Sequence, residues 1–233
     1  MIEGAIDAFL PLVHGSAGVW VHGVDLRCDP AAEAACLALL DEEERARAAR
    51  FRVAQPRRQF VISRGALRLL LARHLARPAH ALSFATGPHG KPFVVVDGAP
   101  SHVEFNVSHS AGRGLIAIAH APVGVDIEFL GREADLELVA KGVLTAAEQA
   151  ALRCKAGAEG AKLFYRLWTQ KEALIKAKGT GFACPPRSFA VPDALLAGAR
   201  SAPFTFPGET TPWLVTDLSE DAYAAALAQV APR

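Results

Sequence analysis

Paired cysteines are missing from this chain of 233 residues. Its four cysteines, Cys28, Cys36, Cys154 and Cys184, form no C-x-x-C pair and sit beside no useful histidine. Those spacings argue against a zinc site or a disulfide framework and leave reduced cytosolic thiols as the simpler reading. A long apolar run is missing too: none reaches the roughly 18 residues that a membrane span needs. Glu3 and Asp7 precede any basic residue, which does not suit a signal peptide. Neither charge dominates. With 25 Lys and Arg against 24 Asp and Glu the net charge is +1, so no global field draws in nucleic acid. A G-x-S-x-G elbow is also absent, which excludes the common serine-hydrolase arrangement. The expectation is a cytoplasmic protein with no membrane and no nucleic-acid partner.

What is present is a globular composition: 51% hydrophobic and 21% charged residues. The length suits one large domain or two small ones. Residues 19–24 read as a strand, 31–50 as helix by their Ala, Glu and Arg content, and 59–77 as a helix ended by Pro78. Residues 93–96, 102–107, 115–120 and the run VDIEFL read as extended. Residues 144–153 and 162–178 read as helices, and 214–215 and 223–230 complete a sheet or a helix.

One pattern repeats. GVDL (23–26) returns as GVDI (124–127), and LLDEEE (39–44) has its counterpart in VLTAAE (143–148). Glu44 to Glu148 and Phe60 to Phe164 share an offset of 104 residues, which suggests two similar α+β halves with a ligand cleft between them.

Four short stretches carry the chemistry. In GVDIE (124–128), Asp126 and Glu128 project from one face of a strand. Their mutual repulsion is relieved either by a hard cation such as Mg²⁺ or by water at an exposed edge. In WTQKEALIKAKGTGF (168–182), Trp168, Glu172 and Lys176 share a helix face. Glu172 and Lys176 are either an ordinary helical ion pair or a carboxylate base or ligand beside an anion-facing lysine. In GKP (90–92), Lys91 sits on a stiff turn suited to a phosphate. In FNVSHS (105–110), Val103, Phe105 and Val107 bury one face, and His109 between two serines suits either a phosphate contact or a structural role. Ten arginines between Arg45 and Arg77 form either a local anion site or a solvated helix face.

Taken in order, these stretches resemble the 4′-phosphopantetheinyl transferase superfamily, in particular its longer single-chain Sfp type. The resemblance covers Gly90 to Phe182, and the arginine-rich helix and RSFAV (187–191) look similar as well. It implies an α+β fold of two similar halves related by a pseudo-two-fold axis, residues 1–121 and 122–233, with the ligand cleft between them. It implies transfer of the phosphopantetheine arm of coenzyme A to a serine of an apo acyl or peptidyl carrier protein, with Mg²⁺, releasing 3′,5′-ADP, by a monomer. Asp126, Glu128 and Glu172 match the metal ligands, and Lys176 matches a lysine near the reacting phosphates. Either Glu172 or a metal-bound water takes the serine proton. Lys91 and Pro92 match the contact to the 3′-phosphate end, Ser108 and His109 match phosphate contacts, and Lys171 lies near the same anion. Arg47, Arg58 and Arg64 fall where the family places basic contacts, although Glu44 stands where a lysine is expected. Glu148 matches a further acidic position. On the residues alone, a Mg²⁺-dependent phosphohydrolase and a non-catalytic module that binds carrier proteins are the competing functions.

Overall fold

The computed structural model describes residues 10–16, 18–27, 30–131 and 136–232, without the side chain of Phe182. Glu3, Asp7 and Cys28, used above, lie outside them. Two four-stranded antiparallel sheets dominate. One has the order β1 (Leu12–Ser16), β2 (Val19–Asp25), β7 (Arg113–Ala119), β6 (Glu104–Ser110). The other has the order β8 (Val123–Phe129), β11 (Tyr223–Val230), β10 (Trp213–Asp217), β9 (Ser201–Phe204). The connections β2–β7–β6 and β8–β11–β10 repeat one plan. A small sheet, β3 (Leu82–Thr86), β4 (Pro92–Val96) and β5 (Ala99–Pro100), belongs to the first half.

Strand alternation sorts the core into layers. In β7, Ile116 and Ile118 face a core shared with α3 (Ala54–Leu75), while Leu115, Ala117 and Ala119 face the second sheet. In β11, Ala224, Ala226 and Ala228 face α6 (Gly157–Lys178), while Tyr223, Ala225 and Leu227 face the first sheet. The layers run helix, sheet, sheet, helix, and each half buries its own long helix. The Ala-rich run Tyr223–Val230, left open between strand and helix by its sequence, is a strand because both of its faces and both of its edges are covered.

The repeat seen in the sequence is structural. α3 and α6 are each 22 residues long. Each half also has a short helix opened by a capping box. Asp41 and Glu44 open α2 (Glu42–Ala49), and Thr145 and Glu148 open α5 (Ala146–Arg153). Asp41 corrects the single helix expected over 31–50. Its side chain caps a new start, and α1 (Pro30–Leu39) ends before it. The helix α4 (Leu136–Val143) and the short α7 (Asp193–Leu196), along with β1 and β3, were not expected, while β9 falls in the tail expected to hold short strands around Pro203. Among the described residues no helix is long and apolar enough to cross a membrane.

The halves meet along an unusual seam. β6 and β8 are edge strands of different sheets, and β8 does not pair with β6 through its backbone. Three side chains on one face of β6 take the place of a ladder. Asn106 Oδ1 accepts the Val125 N–H at 2.9 Å, Ser108 Oγ accepts the Ile127 N–H at 3.4 Å, and Ser110 Oγ accepts the Phe129 N–H at 3.1 Å. The partners advance two residues at a time on both strands, so the seam is parallel and keeps the period of a strand.

On its other flank β8 is held by α6. A Cβ on Gly124 would lie 2.1 Å from the Ala173 carbonyl oxygen and 2.3 Å from the Ala177 nitrogen, both backbone atoms. The glycine that opens GVDIE therefore sets how closely the helix approaches the strand. Gly124→Ala is expected to lower stability by about 3 kcal/mol, as overpacking against an unyielding backbone does, measured by urea unfolding of the purified protein.

Candidate active site

The seam and α6 bring Asp126, Glu128, Glu172 and Lys176 together. Asp126 is 4% exposed. Its Oδ1 accepts the Ser108 hydroxyl at 2.7 Å and the Lys176 ammonium at 2.6 Å, while its Oδ2 is buried with no hydrogen-bond partner. Lys176 also donates to Ser108 Oγ at 3.2 Å and to the Val125 carbonyl at 3.4 Å. The Glu172–Lys176 helix pair read from the sequence is replaced by a tertiary pair, because Lys176 reaches across to the strand. Glu128 accepts the Ser110 hydroxyl at 2.9 Å.

Burial, and then the nearby carboxylates Asp126 and Glu128, push the Glu172 carboxyl above its ordinary value, with Lys176 pulling the other way. Three acidic groups share one lysine, so the cluster is short of positive charge. A cation fits that deficit, and the unpaired Asp126 Oδ2 and the adjacent Glu128 are the oxygens that would hold it. Among the described residues no three acidic, histidine or cysteine side chains are drawn together closely enough to hold a metal ion by themselves. The expected trio Asp126, Glu128 and Glu172 is thus not gathered into a ready-made metal site, whereas Mg²⁺ can be held by one or two carboxylates with phosphate oxygens and water completing its shell.

A cavity of about 500 Å³ opens beside the cluster. Both halves line it. Lys91, Pro92 and Asn106 come from the first, and Trp168, Glu172 and Lys176 from α6. Val143, Ile175 and Pro186 give it an apolar wall. Lys91 sits at the end of a closed turn in which the Gly87 N–H donates to its carbonyl at 2.9 Å and Gly90 adopts φ +83°. Its ammonium donates to the carbonyls of Val123 at 3.3 Å and Ala177 at 3.4 Å and pairs with Glu104 at 3.2 Å. His109 is exposed on β6.

Other expected residues lie elsewhere or are already engaged. Lys171 is a correction. It is fully buried, pairs with Glu148 at 2.9 Å and donates to the carbonyls of Pro186 and Phe189, so it faces the core and no ligand. Glu148, with its second oxygen on the Val191 N–H, ties α5 to the segment after α6. The Ser108 hydroxyl donates to Asp126 rather than standing open to a phosphate. Arg58 pairs with Glu33, Arg64 pairs with Glu44 and stacks on Phe84, and Arg47 lies over Phe60. The arginine stretch is thus neither a bare anion site nor a plain solvated face. Arg68, fully buried between Asp41 and Glu44, anchors α2. The sequence reading missed Glu104, Asn106 and Ser110. Their signal was the polar period of two on β6, opposite the apolar face that had been noticed.

Comparison with known proteins follows this geometry. Residues 122–228 match the 4′-phosphopantetheinyl transferase superfamily, and residues 29–121 match the N-terminal region of a 4′-phosphopantetheinyl transferase. The 4′-phosphopantetheinyl transferase psf-1 of Bacillus pumilus is 33% identical over 179 residues, covering 77% of this chain and 73% of that one. The chain belongs to the 4′-phosphopantetheinyl transferase superfamily. The transferase Sfp of Bacillus subtilis is 30% identical over 155 residues, 66% of this chain and 67% of its own. The transferase HetI of a Nostoc species is 37% identical over 147 residues, 63% and 62% of the two chains. The carboxylate cluster lies in the part matched by the superfamily, and Lys91 and the serines of β6 lie in the part matched by the N-terminal region.

The raised Glu172 carboxyl has a consequence for stability. Its ionised form is disfavoured in the folded state, so the folded protein binds its proton more tightly than the unfolded chain does. In metal-free protein Glu172→Gln is expected to raise the unfolding midpoint at pH 7 to 8. The gain should shrink as pH falls through the raised native value and vanish below the ordinary carboxylate value. Calorimetry in EDTA at a series of pH values measures it, and a gain that grows on acidification would contradict the assignment.

Proposed function

We propose that the protein moves the phosphopantetheine arm of coenzyme A onto a serine of an apo acyl or peptidyl carrier protein, with Mg²⁺ and release of 3′,5′-ADP. The observation that carries this reading is the cluster of Asp126, Glu128, Glu172 and Lys176, of which Glu172 and Lys176 line a cavity to which both halves contribute. Asp126 and Glu128 would hold the cation. When bound, it supplies positive charge to the pyrophosphate, which stabilises both the attacked phosphorus and the departing phosphate. Lys176, fixed by Asp126, adds a second positive charge at the same place. Glu172, with its raised basicity, accepts the proton of the carrier serine. The serine oxygen then forms a bond to the phosphorus that carries the pantetheine arm, and the bond from that phosphorus to the bridging oxygen breaks, with 3′,5′-ADP leaving. The apolar wall at Val143, Trp168 and Ile175 shelters the arm from water. Lys91, which lines the cavity, is the group offered to the remaining phosphates in exchange for Glu104 and the two carbonyls it meets, whereas the exposed His109 is not among the residues lining that cavity. The free thiols of Cys154 and Cys184 fit the reducing cytoplasm, and we read the working form as a monomer.

Incubated with coenzyme A, Mg²⁺ and a panel of apo carriers, the protein is expected to add a phosphopantetheine-sized mass to at least one of them, seen by intact mass spectrometry. Asp126→Asn, which keeps the shape of the buried side chain, is expected to lower that transfer by at least 100-fold, the scale of losing a group that stabilises transition-state charge. Coenzyme A hydrolysed with no carrier gaining mass would instead identify a phosphohydrolase. Tight carrier binding without any reaction would identify a binding module.

A further inference from the structure

The hydroxyls of Ser108 and Ser110 each make a pair of hydrogen bonds of opposite sense, and Ser108 Oγ also accepts the Lys176 ammonium at 3.2 Å. Each accepts a backbone N–H of β8, from Ile127 and Phe129 respectively. Each then has one proton left, and it goes to the carboxylate of the residue just before that N–H: Asp126 Oδ1 at 2.7 Å and Glu128 Oε2 at 2.9 Å. A hydroxyl has one donor and two acceptor sites, so the N–H fixes the orientation of the lone pairs and with it the direction of the proton. Asn106, the third member of the seam, takes the Val125 N–H and touches no carboxylate.

We propose that Ser108 and Ser110 are positioning residues that aim the two β8 carboxylates by occupying one oxygen of each, leaving Asp126 Oδ2 and Glu128 Oε1 for a shared cation. This inference rests on the cation reading made under the proposed function. The geometry supports it in three ways. The carboxylates alternate with the N–H groups that the same hydroxyls hold, so strand register and carboxylate direction are set together. The oxygens left over include the one buried carboxylate oxygen among the described residues that has no partner. Among the described residues Ser110 is the one side chain that holds the Glu128 carboxylate. Groups that hydrogen-bond to metal ligands commonly govern affinity in this way.

The test uses the full chain with Mn²⁺ as a paramagnetic substitute for Mg²⁺, titrated by electron paramagnetic resonance in the presence of coenzyme A. Ser110 is chosen because it is only partly buried. Ser110→Ala is expected to weaken Mn²⁺ binding about tenfold, as loss of such a partner does, and Ser110→Thr, which keeps the hydroxyl, is expected to restore most of it. The thermal unfolding midpoint is measured on the same samples. An alanine variant that binds Mn²⁺ as tightly as the wild type, whatever its midpoint, reduces Ser110 to a seam residue and overturns the proposal. A wild type that binds no Mn²⁺ overturns the cation reading and this inference with it. Wild-type binding with no loss in the variant overturns this inference alone.

Discussion

The contact between β6 and β8 governs the rest of the molecule. Two sheets that end side by side would leave two rows of backbone groups without partners, and a buried N–H left unpaired costs about 1–3 kcal/mol. Asn106, Ser108 and Ser110 meet those N–H groups with side-chain oxygens, so the sheets join without becoming one sheet. A backbone ladder would have required β6 and β8 to lie in the same plane. Side-chain acceptors add length to the joint, and the two sheets can stack face to face over Val21, Ala117, Val125 and Leu227 while their edges stay linked. The cavity follows from that geometry, since it opens where the two halves meet and takes its lining from both.

The two halves use one plan for different ends. Residues separated by 104 in sequence occupy matching places: Glu44 and Glu148 in the capping boxes, Phe60 and Phe164 on the long helices. At the same offset Arg68 corresponds to Glu172. Arg68 is fully buried and serves Glu44 and Asp41, whereas Glu172 stands at the cavity. In the second half the partner of the capping glutamate has moved one place along the helix, to Lys171. That shift by one residue turns the next position by about 100°. It frees the helix face of Glu172 and Lys176 for the cavity while the buried ion pair is kept.

Much of this was legible in the sequence because it follows from local rules. The long helices, the return of the capping pattern and the alternating strands depend on periods and caps that a single stretch displays. The grouping of Asp126, Glu128, Glu172 and Lys176 was legible only through the order of four motifs, since nothing local joins a strand to a helix some 45 residues later. Lys171 was misplaced for a related reason. It adjoins Glu172 in sequence, but neighbours on a helix point in different directions, and its carboxylate partner Glu148 lies in another helix. The serines of β6 were noticed as polar groups but not as strand partners, because the strand they serve belongs to the other half. Gly124 looked like part of a motif when its role is to admit the backbone of α6.

The site is held at an electrostatic disadvantage by groups that do not belong to it. Asp126 is buried with one oxygen unpaired, Glu172 is half-buried beside it, and Lys176 offsets only part of their charge. Left to relax, such carboxylates would turn toward water or take up protons. They cannot turn easily, because Asp126 is fixed by Ser108 and Lys176, and Glu172 is carried on a helix packed onto β8 at Gly124. The core of the second half therefore supports the strain of its own site. Binding a cation and a polyphosphate would relieve that strain, since each brings the charge or the oxygens that the other and the protein lack. Under the proposed function apolar packing behind the site would become affinity in front of it, with the close approach of helix to strand as much a part of the site as the carboxylates are.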